Sequence, residues 1–184
     1  MELRWYDILQ KDGEPDWSVV GEERRRRADA MRHDADRLRT MAGETLARRM
    51  LASRLGCTAA EAPLQWDGNG KPVAPGTGLY VSISHSGAYA VCALDERPVG
   101  VDIEAIRTFD PRLMRRVCSE EELRYLNTGD STHRFWELWT AKEALFKLTG
   151  HGPLLRLSKL ALPQDTAIWY SQCHGCAVSV AQYL

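Results

Sequence analysis

The chain has 184 residues, 44% hydrophobic and 27% charged, with a formal net charge of -1. That length supports one sizeable domain or two small packed halves, and the mixed composition excludes a disordered or low-complexity chain. No apolar run approaches the ~20 residues of a membrane helix, the near-neutral charge argues against a general nucleic-acid binder, and an odd number of cysteines (Cys57, Cys92, Cys118, Cys173, Cys176) reads as reduced thiols.

The N-terminal MELRWYDILQ lacks the basic segment and apolar core of a secretory signal, so a cytoplasmic location is the expectation. Leu3, Trp5, Ile8 and Leu9, followed by Asp12-Gly13 and Pro15, predict an edge strand and a turn without readable chemistry. From Glu22 the pattern is helical, running through Ala28, Met31, Ala35, Leu38, Ala42, Leu46 and Met50 to a stop at Gly56. A break is expected near His33 to Asp36, where Asp34 or Asp36 would cap a second helix. Ten arginines face six acids between Gly21 and Arg54. Such an excess suits a phosphate-rich ligand, although a solvated helix face is the commoner meaning of a charge run.

Asp67-Gly68-Asn69-Gly70 predicts a tight turn after Leu64-Gln65-Trp66 that leaves the Lys71 ammonium free. Leu79 to Ile83 and Ala88 to Leu94 are expected strands on either side of Ser84-His85-Ser86-Gly87. The nucleophile-elbow pattern G-x-S-x-G is absent and neighbouring strand residues point to opposite faces, so Ser84 and His85 make poor triad partners. Hydroxyl, imidazole and turn amides suit an anion better.

In the next strand Val99, Val101 and Ile103 alternate with Gly100, Asp102 and Glu104, so both carboxylates share a face, ~7 Å apart. A hard divalent cation would explain two like charges there, with Glu143 as a third oxygen ligand; a solvated strand end neutralised by Arg107 is the alternative. Asp110-Pro111 is expected to open a helix and Ser119 to Glu122 to be the capping box of another. Arg112, Arg115 and Arg116 form a basic patch fit for an acidic partner, or the polar face of a plain amphipathic helix.

In Phe135 to Gly150, Phe135, Leu138, Ala141, Leu145 and Leu148 form one apolar stripe of a helix ending at Gly150, while Trp139, Glu143 and Lys147 share another face. Strands are expected at Leu157 to Leu162, Ala167 to Gln172 and Cys176 to Tyr183. Cys173-His-Gly-Cys176 is read as a turn, because a structural zinc site would require a second ligand pair. His174 to Gln182 distantly echoes His85 to Leu94, as if a helix plus hairpin occurred twice.

GVDIE at Gly100 to Glu104, followed by F-W-x-x-W-T-x-K-E-A-x-x-K at Phe135 to Lys147, resembles the signature pair of the Sfp-type 4'-phosphopantetheinyl transferases. The resemblance extends through R-T-x-x-G-x-x-L-x-R-R at Arg39 to Arg49, NGKP at Asn69 to Pro72 and SISHSG at Ser82 to Gly87, covering about Asp34 to Gly152. It implies an α+β fold of two pseudo-symmetric halves, each a small antiparallel sheet packed against a long helix. The first half, 1–98, would take the adenosine-phosphate side of coenzyme A; the second, 99–184, would carry the metal site and the W-x-x-K-E-A helix.

The implied activity is Mg²⁺-dependent transfer of phosphopantetheine from coenzyme A to a serine of an acyl or peptidyl carrier protein. Asp102, Glu104 and Glu143 would hold Mg²⁺, with Mn²⁺ as the alternative ion. Glu143, or a metal-bound water beside it, would accept the serine proton, and Lys147 would contact phosphate oxygens. Lys71, Ser84, His85 and Arg39 would bind the coenzyme. Where relatives carry a cation just before the second helix this chain has Asp34-Ala35, leaving Arg32, Arg37 and Arg39 to substitute. A monomer is expected, with no nucleic-acid or membrane partner. Another Mg²⁺-dependent phosphate enzyme, such as a nuclease or nucleotide hydrolase, and a non-catalytic carrier-binding module are the rivals; no P-loop or dinucleotide fingerprint is present.

Overall fold

The computed structural model describes residues 1–9, 13–150 and 165–184. The expected strand Leu157 to Leu162 and Asp12 of the first turn lie outside them. The chain forms two compact units, Met1–Val99 and Gly100–Leu184.

In the first unit β1 (Glu2–Asp7) is followed by α1 (Glu22–Asp29) and α2 (Asp34–Leu55), a short ribbon of β2 (Gln65–Trp66) and β3 (Pro72–Val73), and the hairpin β4 (Tyr80–Ser86) and β5 (Tyr89–Asp95). The sheet order is β1-β5-β4, so β1 is the edge strand that its sequence predicted. Both pairings are antiparallel, with Glu2 opposite Leu94 and Ser86 opposite Tyr89. The hairpin turn is therefore only Gly87-Ala88, and the expected loop residues Ser84 to Ser86 belong to β4. Leu46, Met50 and Leu51 of α2 pack with Tyr6, Val81, Ala90 and Leu94 of the sheet. The other side of α2 meets α1 through Met41, Ala28 and Val20. Gly56 ends α2 at φ 69° as expected, but the N-cap is His33 without a side-chain cap bond, and Asp34 is the first helical residue. Its carboxylate meets the favourable end of the helix dipole instead.

The second unit follows with β6 (Val99–Ala105), α3 (Arg112–Val117), α4 (Glu120–Leu126), α5 (Ser131–Thr149) and the hairpin β7 (Thr166–Cys173) and β8 (Cys176–Tyr183). Its sheet order is β6-β8-β7. Strand, long helix and hairpin thus recur, and in each unit the first strand pairs with the second strand of the hairpin. The architecture is α+β with two three-stranded antiparallel sheets, each against a long helix. Cys173 and Cys176 face each other across a turn in which His174 and Gly175 have φ of 52° and 72°, and both cysteines are free thiols.

The capping box of α4 is present with Ser119 and Glu122 in their expected roles. The helix α3 starts at Arg112, after Pro111, yet Asp110 still accepts the Arg112 amide at 2.9 Å. In α5 the buried residues are Phe135, Trp136, Thr140, Lys142, Glu143, Ala144, Leu145 and Leu148, which differs from the expected stripe: Leu138 and Ala141 are only partly buried. The cause is that two surfaces cover the helix. Phe135 and Trp136 pack with Val117, Leu126 and Ala177, while Ala144, Leu145 and Leu148 pack with Ala181.

What sets the depth of α5 on β6 is Gly100. A Cβ at this position would lie 2.0 Å from the Ala144 carbonyl oxygen and 2.6 Å from the Leu148 amide nitrogen, both backbone atoms. Gly100→Ala therefore has to lift the helix, and we expect a loss of about 3 kcal/mol or more in urea-unfolding free energy. Unchanged stability would contradict this packing.

Candidate active site

Strand alternation puts Gly100, Asp102 and Glu104 on one face of β6, the face on which α5 rests. Against the alternative of a solvated strand end, Asp102 is buried, as are Val99, Val101 and Ile103 on the other side. Glu143 follows one residue before Ala144, the contact point on Gly100, so the close approach brings it toward the strand carboxylates. Its pKa is pushed up to about 7, first by burial and then by Asp102, with Lys147 opposing and Glu104 adding a smaller increase. Glu143 Oε1 is buried and has no hydrogen-bond partner. Lys147, one turn on, donates from Nζ to Asp102 Oδ1 at 2.8 Å. Arg107 does not have that role: its carbonyl accepts from Trp136 Nε1 at 2.8 Å and its guanidinium lies over the Trp136 ring.

Three carboxylates and an ammonium therefore influence one another within the second unit. Among the described residues no three His, Cys, Asp or Glu side chains are gathered closely enough to hold a metal ion as they stand. The donors are nonetheless of the right kind for a hard divalent cation, being all carboxylate oxygens, and the orphaned Glu143 Oε1 is an acceptor awaiting a positive partner.

The first unit contains a separate cluster of cations. Arg24, only 9% exposed, stacks its guanidinium 3.8 Å from the Trp66 ring centroid, and its Nε has no hydrogen-bond partner. Burial, and secondarily Arg27, lower its pKa to about 10 against the opposing pull of Glu44. Glu44 is fully buried and holds the surroundings in place: it accepts from the Gly21 amide at 2.7 Å, Arg48 Nε at 2.8 Å and Trp66 Nε1 at 3.0 Å. Arg24 and Arg27 line two adjoining cavities. One, of about 220 Å³, is completed by Trp66, Asp67, Gly68 and Gly70. The other, of about 370 Å³, includes Arg32, His33, Asp36 and His85.

His85 thus opens onto a cationic cavity, whereas Ser84 is buried and points to the opposite face of β4. Arg39 is committed to Asp36 and to the Gly87 carbonyl at 3.1 Å, and Arg37 pairs with Asp29 at 3.3 Å while stacking on Trp17. Of the three substitutes weighed in the sequence, Arg32 lines the cavity. Lys71 is half-buried rather than free, and burial lowers its pKa against the opposing effect of Asp67. Sequence reading missed Arg24, Arg27 and Trp66. The available signal was that Arg24 and Ala28 stand four apart on the inner face of α1, hidden within a run of four arginines.

Residues 98–173 match the 4'-phosphopantetheinyl transferase superfamily. The 4'-phosphopantetheinyl transferase AcpT of Salmonella typhi is 33% identical over 71% of this chain and 73% of its own length. The chain belongs to the 4'-phosphopantetheinyl transferase superfamily. Similarity extends to psf-1 of Bacillus pumilus, 35% identical over 72% of the chain, and to Sfp of Bacillus subtilis strain 168, 29% identical over 86%. The chain spans 59% of the length of the former and 70% of the latter. The superfamily match includes β6, α3 to α5 and all of β7, and so contains Asp102, Glu104, Glu143 and Lys147.

The raised pKa of Glu143 has a stability consequence in metal-free protein. The folded carboxyl resists ionisation that the unfolded chain accepts near its ordinary value of 4.5, so this group costs stability as pH rises from there to about 7. Glu143→Gln should leave stability unchanged below about pH 4 and raise it by on the order of 1–2 kcal/mol at pH 8, after discounting for partial solvent access. Chemical denaturation at the two pH values checks this; an equal effect at both would contradict it.

Proposed function

We propose that this chain transfers the 4'-phosphopantetheine arm of coenzyme A to a serine hydroxyl of an acyl or peptidyl carrier protein, releasing adenosine 3',5'-bisphosphate. The observation that carries the reading is the convergence of Asp102, Glu143 and Lys147 where α5 settles on Gly100, in a chain of this superfamily.

Asp102, Glu104 and Glu143 would hold Mg²⁺ or Mn²⁺, which when bound supplies positive charge to the pyrophosphate. Lys147 neutralises Asp102 in the metal-free chain and would add a phosphate contact in the loaded one. Glu143, or a water beside it, would accept the serine proton; the raised pKa describes the metal-free chain, and a bound cation would lower it. Chemistry of this kind depends on positioning and charge neutralisation, and the nucleophile comes from the partner. On the coenzyme side, Arg24, Arg27, Arg32 and His85 offer cations and donors to phosphate, and Lys71 adds a nearby ammonium. The exposed Arg112, Arg115 and Arg116 of α3 would receive an acidic carrier.

Intact mass spectrometry of an apo carrier incubated with this protein, coenzyme A and Mg²⁺ tests the activity. One phosphopantetheine adduct, lost with a chelator and with Glu143→Gln, is expected; coenzyme A breakdown without a carrier adduct would favour hydrolysis instead. In the same assay Arg24→Ala should raise the KM for coenzyme A about tenfold with kcat within about twofold, as expected when ground-state phosphate contacts are lost. An unchanged KM would remove Arg24 from the coenzyme site.

A further inference from the structure

Lys142 is 3% exposed, one residue before Glu143, and none of the chemistry above uses it. An ammonium so deeply buried is tolerated only when its donors are matched. Lys142 Nζ donates to the Val117 carbonyl at 2.8 Å and to Glu122 Oε2 at 2.6 Å. Val117 is the last residue of α3, so its carbonyl is one that the helix leaves unsatisfied. Glu122 is the capping-box residue of α4, and the same Oε2 accepts the Ser119 amide at 2.6 Å. One ammonium thus ties the end of α3, the start of α4 and the middle of α5 together. Val117 and Cys118 at this corner are themselves buried.

Apolar side chains in place of both Lys142 and Glu122 would give comparable stability, because desolvating an ion pair offsets most of its attraction, whereas replacing the lysine alone leaves Glu122 and the Val117 carbonyl without this partner. What the ion pair adds is orientation. Lys142 and Glu143 project about 100° apart around α5, so directing the lysine at the α3–α4 corner directs the glutamate at β6. The Gly100 contact fixes how closely α5 approaches the strand, and the apolar contacts of Phe135, Trp136, Leu145 and Leu148 limit its rotation without being directional. Lys142 adds a directional, polar constraint. The corner it grips is the end of the helix that carries Arg115 and Arg116.

We propose that Lys142 is a positioning residue: through Val117 and Glu122 it holds α5 in the rotation that aims Glu143 at Asp102, and it links the α3–α4 corner to the site. This inference rests on the transferase reading. The test compares wild type with Lys142→Met, Lys142→Arg and Glu122→Gln, measuring thermal melting, steady-state transfer and Mn²⁺ affinity by calorimetry. For Lys142→Met that melts cooperatively within about 5 °C of wild type, we expect kcat to fall about tenfold or more with the coenzyme A KM within about twofold, and Lys142→Arg to recover most of the loss. Glu122→Gln, which keeps the lysine, should show a smaller loss of the same kind and serves if Lys142→Met does not fold. Wild-type kcat in folded Lys142→Met, or losses that simply follow melting temperature across the variants, would overturn the proposal. If wild type transfers nothing, the transferase reading fails and Mn²⁺ decides alone: about tenfold weaker binding in the folded variant supports the positioning role, and equal binding overturns it.

Discussion

The absence of a side chain at Gly100 sets the height at which α5 lies on β6, and the chemistry of the second unit follows from that height. With the helix backbone against the strand, Glu143 beside the contact is largely withdrawn from water, while Lys147 stays partly exposed. Glu143 becomes buried, and Lys147 reaches Asp102 Oδ1 at 2.8 Å. A methyl at position 100 would open this interface before it altered any charged group, so a packing constraint precedes the electrostatic one.

Crowded carboxylates impose the next constraint. Glu143 feels burial and Asp102 as unfavourable to its charge, and Lys147 relieves only part of it. The helix also contributes a buried cation, Lys142, matched to Glu122 and a helix-end carbonyl. These adjacent residues show two uses of a buried charge. Lys142 is fully engaged with its surroundings, while Glu143 keeps an oxygen without a hydrogen-bond partner. That residual acceptor is the feature most easily understood as a site for a cation.

Where local chemistry decides an element, the sequence alone was enough. Gly56 and Gly150 end their helices with φ of 69°, Ser119 and Glu122 close a capping box, and the strand-helix-hairpin repeat could be suspected from a short echo. Tertiary packing hid the rest. A single apolar stripe cannot describe α5, because the β6–β8 side and the α3–α4 side cover different parts of it. The same coverage buries Asp102 and leaves Glu104 partly exposed, which the alternating pattern alone did not distinguish. Arg24 looked like one of four equivalent arginines until α1 placed it inward against Trp66. Strand alternation already set Ser84 and His85 on opposite faces, but only the packing showed that His85 lines a cavity while Ser84 is buried. The resemblance to Sfp-type enzymes singled out Asp102, Glu104, Glu143 and Lys147, yet it gave no reason for Gly100 or Lys142.

In the function we propose, Asp102, Glu104 and Glu143 form a cation site that Lys147 guards when no metal is bound. The most direct measurement is an anomalous difference map from crystals grown with Mn²⁺ and coenzyme A. One strong peak bounded by these three carboxylates is expected, with Lys147 released from Asp102 toward phosphate. Lys147 still bonded to Asp102, with no anomalous peak beside Glu143, would contradict it.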